Sequence, residues 1–373
     1  MRLPKAFWEV LALAAFGLAL AGGAVLLVRS TARPRPREEP PLSPPDAGMP
    51  AALSSALSEI RQRSLELSAP TWRSQRLAVS GGRLVRLGDA EWSSLSLTTL
   101  EEKHSPLAGP RAVVALPGGS LVIVAERETL ELEPGAAEPS RLPRVAFLPG
   151  SELVPERRDP RKLWILNRPT RSLVRYELVR SELPLLPIDR TLELSEGASG
   201  AFASVRDGSW AYVSGAALEV RLPEGKPRRF ELEGKLPWRL LPGTRVDDLW
   251  AVTESGEVTL FRVLDRPRKV TGFRSLDAPL DAAASERHFA LLVVREGGPR
   301  REFRLQVWDL TGKLELETSL GSDDARPDED WAALALRREV ALSDAPPRVA
   351  VLDPSGLRVW DLATAALVHG AAR

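Results

Sequence analysis

Residues 201–232 read AFASVRDGSWAYVSGAALEVRLPEGKPRRFEL, and they form the clearest structural unit in the sequence. Its runs suited to β-strands alternate with turn-forming Asp-Gly, Ser-Gly and Pro-Glu-Gly sequences, and they are AFASV (201–205), WAYV (210–213), ALEVRL (217–222) and RRFEL (228–232). In the third run Leu218, Val220 and Leu222 alternate with charged residues, which places apolar side chains on one face. The stretch therefore predicts one antiparallel sheet of four strands.

Similar units recur from about residue 71 to residue 373. An apolar strand, a turn and an alternating strand begin near each of the following positions: Arg76, Arg111, Lys162, Ala201, Asp248, His288 and Arg348. The mean spacing is about 45 residues, which is the length of a β-propeller blade. Residues 71–373 are therefore predicted to form an all-β domain, a propeller of about seven four-stranded blades. A β-sandwich is the alternative, but it needs no four-strand repeat and is usually smaller.

Two segments near the end of the chain resemble WD40 repeats. FRLQVWDLTGKLELETSL (303–320) and GLRVWDLATAALVHG (356–370) each carry an alternating strand that ends in Trp-Asp-Leu and is followed by a turn. The resemblance implies structural roles for these dipeptides. Tryptophans at such positions pack between neighbouring blades, and aspartates accept hydrogen bonds from turn amides. The residues concerned are Trp308, Asp309, Trp360 and Asp361.

The chain also departs from the WD40 pattern. No Gly-His dipeptide precedes any unit, and the only histidines are His104, His288 and His369. The buried hydrogen-bond tetrad of the family therefore cannot form in its usual way, and apolar packing is expected to hold the blades together. A quinoprotein-like propeller stays open as an alternative. Because the chain ends soon after a WD-type strand, an outer strand from residues 71–79 is expected to complete the last blade.

The N-terminal residues predict a membrane anchor. From Val10 to Val28 the chain has no charged residue, and at about 1.5 Å per residue this run matches a hydrocarbon core of about 30 Å. Residues 1–29 are therefore interpreted as one transmembrane helix. A cleaved signal peptide, with a small-residue site at 19–21, is the alternative, although apolar cores of signal peptides usually span only about 7–15 residues.

A spacer is predicted between the anchor and the propeller. Residues 30–50 contain seven prolines and almost nothing apolar, so they favour an extended linker. Residues 51–70 are interpreted as a short helix or connector, because Leu53, Leu57 and Ile60 have helical spacing. Basic residues flank the apolar run on both sides, but a basic N-terminus before a long apolar run is typical of an exporting signal-anchor. The expected location is the inner membrane, single-pass, with the propeller in the periplasm.

Few residues are suited to catalysis or metal binding. The chain has no cysteine and only three histidines, and it lacks nucleotide-binding glycine motifs, so no catalytic residue, no cofactor and no metal site are predicted. His288 lies in a strand-like run and is interpreted as a structural residue. The acidic stretch 323–330 lacks the spacing of a calcium loop and is interpreted as solvated.

Three basic clusters lie near prolines between predicted strands. Their members are Arg157, Arg158, Arg161 and Lys162, then Lys226, Arg228 and Arg229, then Arg266, Arg268 and Lys269. They could line one rim of the propeller and receive an acidic partner, or they could serve solubility alone. Because the formal net charge is only +1, nucleic acid is not an expected partner.

These features together favour a non-enzymatic scaffold for protein–protein interactions at the bacterial cell envelope. The bacterial assignment follows from arginine-rich, asparagine-poor coding. A propeller offers a rigid platform, and no catalytic motif accompanies it. The expected partners are other proteins, together with the membrane through the N-terminal helix. The alternatives are a ligand-binding or enzymatic propeller, since propellers place loops around a central channel, and a membrane-tethered sensor.

Overall fold

The chain folds into seven four-stranded antiparallel sheets. The structure is a computed structural model, and it describes residues 75–370 except 146, 149, 168–171, 180–191, 194–197, 207, 224–225, 233–236, 265–267, 298–299 and 325–330. The strands of each sheet pair in sequence order, so every sheet is one contiguous stretch of chain. The prediction of an all-β propeller with seven four-stranded blades is confirmed.

Blades 1–4 occupy the first half of the described chain. Blade 1 has β1 (Leu77–Ser80), β2 (Arg83–Leu87), β3 (Glu91–Ser96) and β4 (Glu102–Pro106). Blade 2 has β5 (Pro110–Ala115), β6 (Leu121–Ala125), β7 (Thr129–Leu132) and β8 (Ser140–Leu142). Blade 3 has β9 (Ser151–Pro155), β10 (Lys162–Asn167), β11 (Ser172–Glu177) and β12 (Leu192–Glu193). Blade 4 has β13 (Ala198–Arg206), β14 (Ser209–Ser214), β15 (Ala217–Arg221) and β16 (Arg228–Glu231).

Blades 5–7 complete the ring. Blade 5 has β17 (Pro237–Pro242), β18 (Asp248–Thr253), β19 (Glu257–Arg262) and β20 (Arg268–Arg274). Blade 6 has β21 (Ala278–Ala284), β22 (His288–Gly297), β23 (Arg300–Asp309) and β24 (Leu314–Asp324). A short helix α1 (Trp331–Leu336) leads to blade 7, which has β25 (Glu339–Asp344), β26 (Pro347–Asp353), β27 (Gly356–Asp361) and β28 (Ala366–His369).

The first strands of the blades form the inner wall of the ring. Each first strand contacts the first strand of the next blade, and β25 contacts β1. Apolar side chains from neighbouring blades pack into shared clusters, and these clusters form the core. We call the face where the first strands begin the top face, and the face where they end the bottom face. Loops between blades therefore lie on the top face.

The predicted unit starts are only partly right. Arg76, Arg111 and Ala201 lie at or within one residue of first strands, whereas the other four predicted starts lie at or next to the beginnings of second strands, namely Lys162, Asp248, His288 and Arg348. Second strands are buried on both faces and read as continuous apolar runs, as in β14, where every residue is buried. First strands carry prolines and charged residues, so the apolar pattern there is weaker.

The prediction that residues 71–79 complete the last blade is wrong. β1 pairs with β2 in blade 1, and blade 7 supplies all four of its own strands. A side chain closes the ring instead. The buried carboxylate of Glu339 accepts hydrogen bonds from the main-chain N–H groups of Arg76, at 2.8 and 2.9 Å, and Leu77, at 3.0 Å. We call this contact the Glu339 latch.

Gln75 joins three blades at the inner wall. Its side-chain amide donates to the carbonyl of Leu153 and accepts from the N–H of Leu153, both at 2.7 Å. Its own carbonyl accepts from the N–H of Val113 at 2.8 Å. Gln75 is 5% exposed and has a φ of 48°, a left-handed conformation that a residue without glycine's freedom keeps only when its surroundings enforce it. Gln75, two residues before β1, therefore ties blades 2 and 3 to blade 1.

On the opposite side of the inner wall, a buried ion pair links blades 5, 6 and 7. Arg239 Nη1 lies 3.3 Å from Asp281 Oδ1, and Asp281 Oδ2 accepts a hydrogen bond from the N–H of Val340 at 2.8 Å. Both charged side chains are less than a tenth exposed. The three residues belong to β17, β21 and β25, the first strands of blades 5, 6 and 7. Polar side chains therefore join neighbouring blades in addition to the apolar clusters.

The predicted anchor, linker and connector lie outside the described residues. This includes the span Val10–Val28, the spacer 30–50 and the segment 51–70. Within the part of the chain that the structure describes, no helix is long and apolar enough to cross a membrane.

Candidate functional site

The two predicted WD tryptophans lie at seams between blades. Trp308 stacks on Phe273 of blade 5, with ring centroids 4.9 Å apart and planes inclined by 24°. Trp360 is buried in the apolar cluster that blades 6 and 7 share. Each ring therefore fills the space between its own blade and the preceding one.

The two aspartates next to these tryptophans close turns. Asp309 Oδ1 accepts hydrogen bonds from the N–H groups of Thr311 and Lys313, both at 2.9 Å, and from the Thr311 hydroxyl at 2.7 Å. These hydrogen bonds, the one from the Thr311 hydroxyl first, hold the pKa of Asp309 below its ordinary value. Asp361 Oδ1 accepts from two main-chain N–H groups of its own turn at 3.0 Å. All four residues of the dipeptides thus lie in structural positions.

Arg157, from the first basic cluster, is partly buried between two loops. From the bottom loop of blade 3 its guanidinium donates to the carbonyls of Gly243, Arg245 and Asp248 in the bottom loop of blade 5. Burial lowers the pKa of Arg157 to about 10. Arg161 in the same cluster pairs with the buried Glu131 at 3.2 Å. Both arginines thus bond other parts of the fold, although the side chain of Arg161 stays 46% exposed.

The three histidines all lie beside carboxylates. His288 has Nε2 3.2 Å from Glu315 and Nδ1 3.6 Å from Asp344. His104 and His369 each lie 3.8 Å from Glu102. In the described ranges no group of three or more His, Asp or Glu side chains is arranged to hold a metal ion. Most of the predicted acidic loop, residues 325–330, lies outside those ranges.

Blade 6 is taller than its neighbours. Strands β22, β23 and β24 have 10, 10 and 11 residues, and β22 pairs with β23 along its whole length. The other strands have at most 9 residues. Because the hairpin between β22 and β23 turns on the top side, the added length raises blade 6 above the top face.

Beside this hairpin, the loop from blade 5 to blade 6 holds a leucine in solvent. Leu276 is 91% exposed, whereas its neighbours Ser275 and Asp277 are 1% and 6% exposed. Ser275 donates from its hydroxyl to Gln306 at 2.8 Å and also accepts from the N–H of Asp277 at 3.2 Å. A fully solvated leucine between two buried polar residues is unusual for a surface loop. We call the loop 275–277 the Leu276 loop.

A charged network fixes the Leu276 loop to blade 6. Arg295 donates to both carboxylate oxygens of Asp277, at 2.8 and 3.1 Å, a two-point contact that also sets its orientation. The hydrogen bonds to Asp277 raise the pKa of Arg295. Gln306 donates to Glu317 at 3.0 Å, and this bond lowers the pKa of Glu317. The loop is thereby bonded to both β22 and β23.

This arrangement is suited to binding. The network presents an apolar side chain in one fixed position, so little conformational entropy is lost when a partner covers it. Asp277, Arg295 and Gln306 all have protein partners in the network. The sequence analysis missed this site, since Ser-Leu-Asp before Ala-Pro looks like an ordinary turn. The only available signal was the unusual length of the strands that follow it.

Comparisons with known proteins agree with the architecture. No family model and no curated protein matches the chain. Among solved structures, the β-propeller domain of Cps50 (Swd1) from Myceliophteria thermophila aligns with a TM-score of 0.53 at 10% identity, over 78% of this chain and 97% of that one. The chain has the fold of WD40-type β-propellers. A chain of a mitotic checkpoint complex aligns with a TM-score of 0.50 at 10% identity, over 79% of this chain and 90% of that one. At such identities the likeness shows the fold alone.

Proposed function

We propose that the protein is a non-enzymatic scaffold for protein–protein interaction at a bacterial cell envelope. The Leu276 loop carries the proposal. Its leucine is solvated and held in one position, so its burial by a partner makes binding more favourable. The side chain alone contributes about 1.5–3 kcal/mol on full burial. One of the similar propellers was solved within a complex of proteins, the mitotic checkpoint complex, and this agrees with the proposal.

Replacing Leu276 with aspartate is expected to release the partner bound at the top face. A charge in place of the apolar anchor should weaken binding roughly 10- to 100-fold, which corresponds to about 1.4–2.7 kcal/mol. The measurement is reversible crosslinking of the tagged full chain in its native cells, followed by quantitative mass spectrometry. Because the side chain of Leu276 is in solvent, the thermal unfolding temperature should stay unchanged.

The matched control is Leu148→Asp, since Leu148 is also a top-side loop leucine and is 48% exposed. Proteins lost with Leu276→Asp but retained with Leu148→Asp would be partners of the Leu276 loop. Identical sets of crosslinked proteins for the wild type and both variants would refute the role of Leu276.

The second part of the proposal concerns the tether. We infer that Val10–Val28 anchors the chain in the inner membrane with a single span, and that the propeller lies in the periplasm. The uncharged apolar run and the proline-rich spacer after it support this arrangement. The propeller would then stand off the bilayer and present its loops to other envelope proteins.

A single cysteine at Ser43 tests the orientation, since the chain has no native cysteine. In cells whose outer membrane alone is permeabilised, Ser43→Cys should react with a membrane-impermeant maleimide. The wild-type chain, which has no thiol, controls for background labelling. Protection of Ser43→Cys in these cells, with labelling only after full lysis, would put the propeller in the cytoplasm and overturn the envelope role.

A further inference from the structure

A cleft separates the outer halves of blades 4 and 5. Its volume is about 640 Å³, within the range of about 300–1,000 Å³ typical of ligand pockets. Phe230 and Leu232 line the blade 4 side, and Ala251, Phe261 and Val263 line the blade 5 side. We call this opening the 4–5 cleft. It lies between blades 4 and 5, whereas the β22–β23 hairpin belongs to blade 6.

At the 4–5 cleft a phenylalanine stands at the position that tryptophan takes in blades 6 and 7. Trp308 and Trp360 are the next-to-last residues of third strands, and both pack toward the preceding blade. The next-to-last residue of the third strand of blade 5 is Phe261, and it lines the cleft. A phenylalanine is smaller than a tryptophan and leaves space, so a side chain from outside can occupy the position that tryptophan takes elsewhere.

Basic residues lie on the outermost strands on both sides of the cleft. In blade 4, Arg228 and Arg229 begin β16, and in blade 5, Arg268 and Lys269 begin β20. All four are exposed. They belong to two of the basic clusters that the sequence analysis identified, which lie about 40 residues apart in the chain; Arg268 and Lys269 line the cleft, and Arg228 and Arg229 lie on the strand of Phe230, which lines it.

These charges are mostly free of internal partners. Arg229 pairs with Glu231 at 3.1 Å, an exposed contact of little strength. Neither Arg268 nor Lys269 makes an ion pair within the part of the chain that the structure describes. The carboxylates of the lining, Glu231 and Glu257, belong to the ends of β16 and β19 that point to the top face. The cleft is therefore basic toward the bottom and acidic toward the top.

We propose that the 4–5 cleft binds an acidic segment of another protein through one bulky apolar side chain. The apolar side chain would enter the space beside Phe261, and carboxylates on the same segment would pair with Arg268 and Lys269. The reversed charge near Glu231 excludes carboxylates from the top end, which sets the direction of the segment.

The strand edges at the cleft favour a peptide over a lipid. β16 and β20 are the last strands of their sheets, so among the described residues no strand pairs with their outer edges. An extended peptide can hydrogen-bond to such an edge while its alternate side chains enter the cleft, whereas an acyl chain cannot. This surface is independent of the Leu276 loop and goes beyond the scaffold function proposed from that loop.

The test uses the full-length chain in mild detergent and a library of fluorescent twelve-residue peptides. Each peptide carries one central Trp, Phe or Leu among aspartates and glutamates. Control peptides replace the acidic residues with lysine, or the central residue with serine. Fluorescence anisotropy should show saturable binding for some acidic peptides with a central apolar residue and none for either control. The affinity should fall as NaCl increases, because charge pairing contributes.

Two sets of variants locate the binding. Phe261→Trp fills the cleft as Trp308 and Trp360 fill their seams, so it should abolish peptide binding and preserve or raise the unfolding temperature. The double variant Arg268→Glu with Lys269→Glu leaves the core untouched and should weaken binding at least tenfold. Lys103→Glu, on the outermost strand of blade 1, is the control and should bind as the wild type does.

Three results would overturn the proposal. The first is the absence of binding by any acidic peptide. The second is binding that persists when Arg268 and Lys269 are both reversed. The third is that phosphatidylglycerol vesicles, but not the peptides, bind in a way that Phe261→Trp abolishes, which would assign the cleft to lipid. Leu276→Asp should bind the peptides as the wild type does, and Phe261→Trp should keep the partners that are crosslinked through Leu276. These two results would separate the 4–5 cleft from the Leu276 loop.

Discussion

Replacement of Glu339 with alanine is expected to lower the free energy of unfolding by about 3–5 kcal/mol, a large part of the about 5–15 kcal/mol typical of a domain. The variant removes the carboxylate that accepts hydrogen bonds from the N–H groups of Arg76 and Leu77, of which the first is partly buried and the second buried. Each buried donor left without an acceptor costs about 1–3 kcal/mol. Equilibrium unfolding in urea measures the change.

Two further variants test whether the loss of stability comes from the hydrogen bonds of the Glu339 carboxylate. Glu339→Gln keeps one acceptor oxygen, so it should lose less stability than alanine does. Glu128→Ala removes a carboxylate whose pairing with Arg141 is exposed, and it should change the stability by less than about 1 kcal/mol. Equal effects for Glu339→Ala and Glu128→Ala would mean that the latch does not close the ring.

Removal of Arg239 alone should lower the free energy of unfolding more than removal of Arg239 together with the charge of Asp281. Arg239→Met leaves Asp281 as a buried carboxylate without its cation, and such a change typically costs about 3–5 kcal/mol. Asp281→Asn removes the charge but keeps an oxygen that can accept the hydrogen bond from Val340. The double variant Arg239→Met with Asp281→Asn should therefore be more stable than Arg239→Met.

A double-mutant cycle in urea provides the measurement. The coupling between Arg239 and Asp281 should exceed about 1 kcal/mol, because the two side chains are in contact and buried. The exposed pair of Arg229 and Glu231 supplies a control cycle, with an expected coupling below about 1 kcal/mol. Additive effects at Arg239 and Asp281 would show that the ion pair does not link blades 5 and 6.

The repeat of apolar runs was sufficient to predict seven blades, and it failed where first strands depart from that pattern. The second strands stood out as units because they are buried on both faces, so the predicted starts near Asp248 and His288 belong to β18 and β22. The polar residues of the first strands find their partners far away in the chain. Glu339 and Arg76 are 263 positions apart, and no local pattern relates them.

Of the two proposed binding surfaces, the sequence predicted only the basic residues beside the 4–5 cleft. The basic residues of β16 and β20 are visible in the sequence as two clusters, but the apolar cleft between them depends on how two blades meet. The exposure of Leu276 likewise depends on Asp277 and Arg295, which lie 18 positions apart and meet only in the folded chain. A leucine in a turn sequence carries no sign that its neighbours are buried.

The position of Gln75 determines how mechanical load reaches the ring. Tension applied at Gln75 would be passed to β5 through its main chain and to β9 through its side chain, as well as along the chain to β1. The load is thus divided among three blades at the inner wall and does not peel a single strand from an edge. A ring fastened in this way is expected to bear traction at Gln75 without opening at the seam between blades 7 and 1.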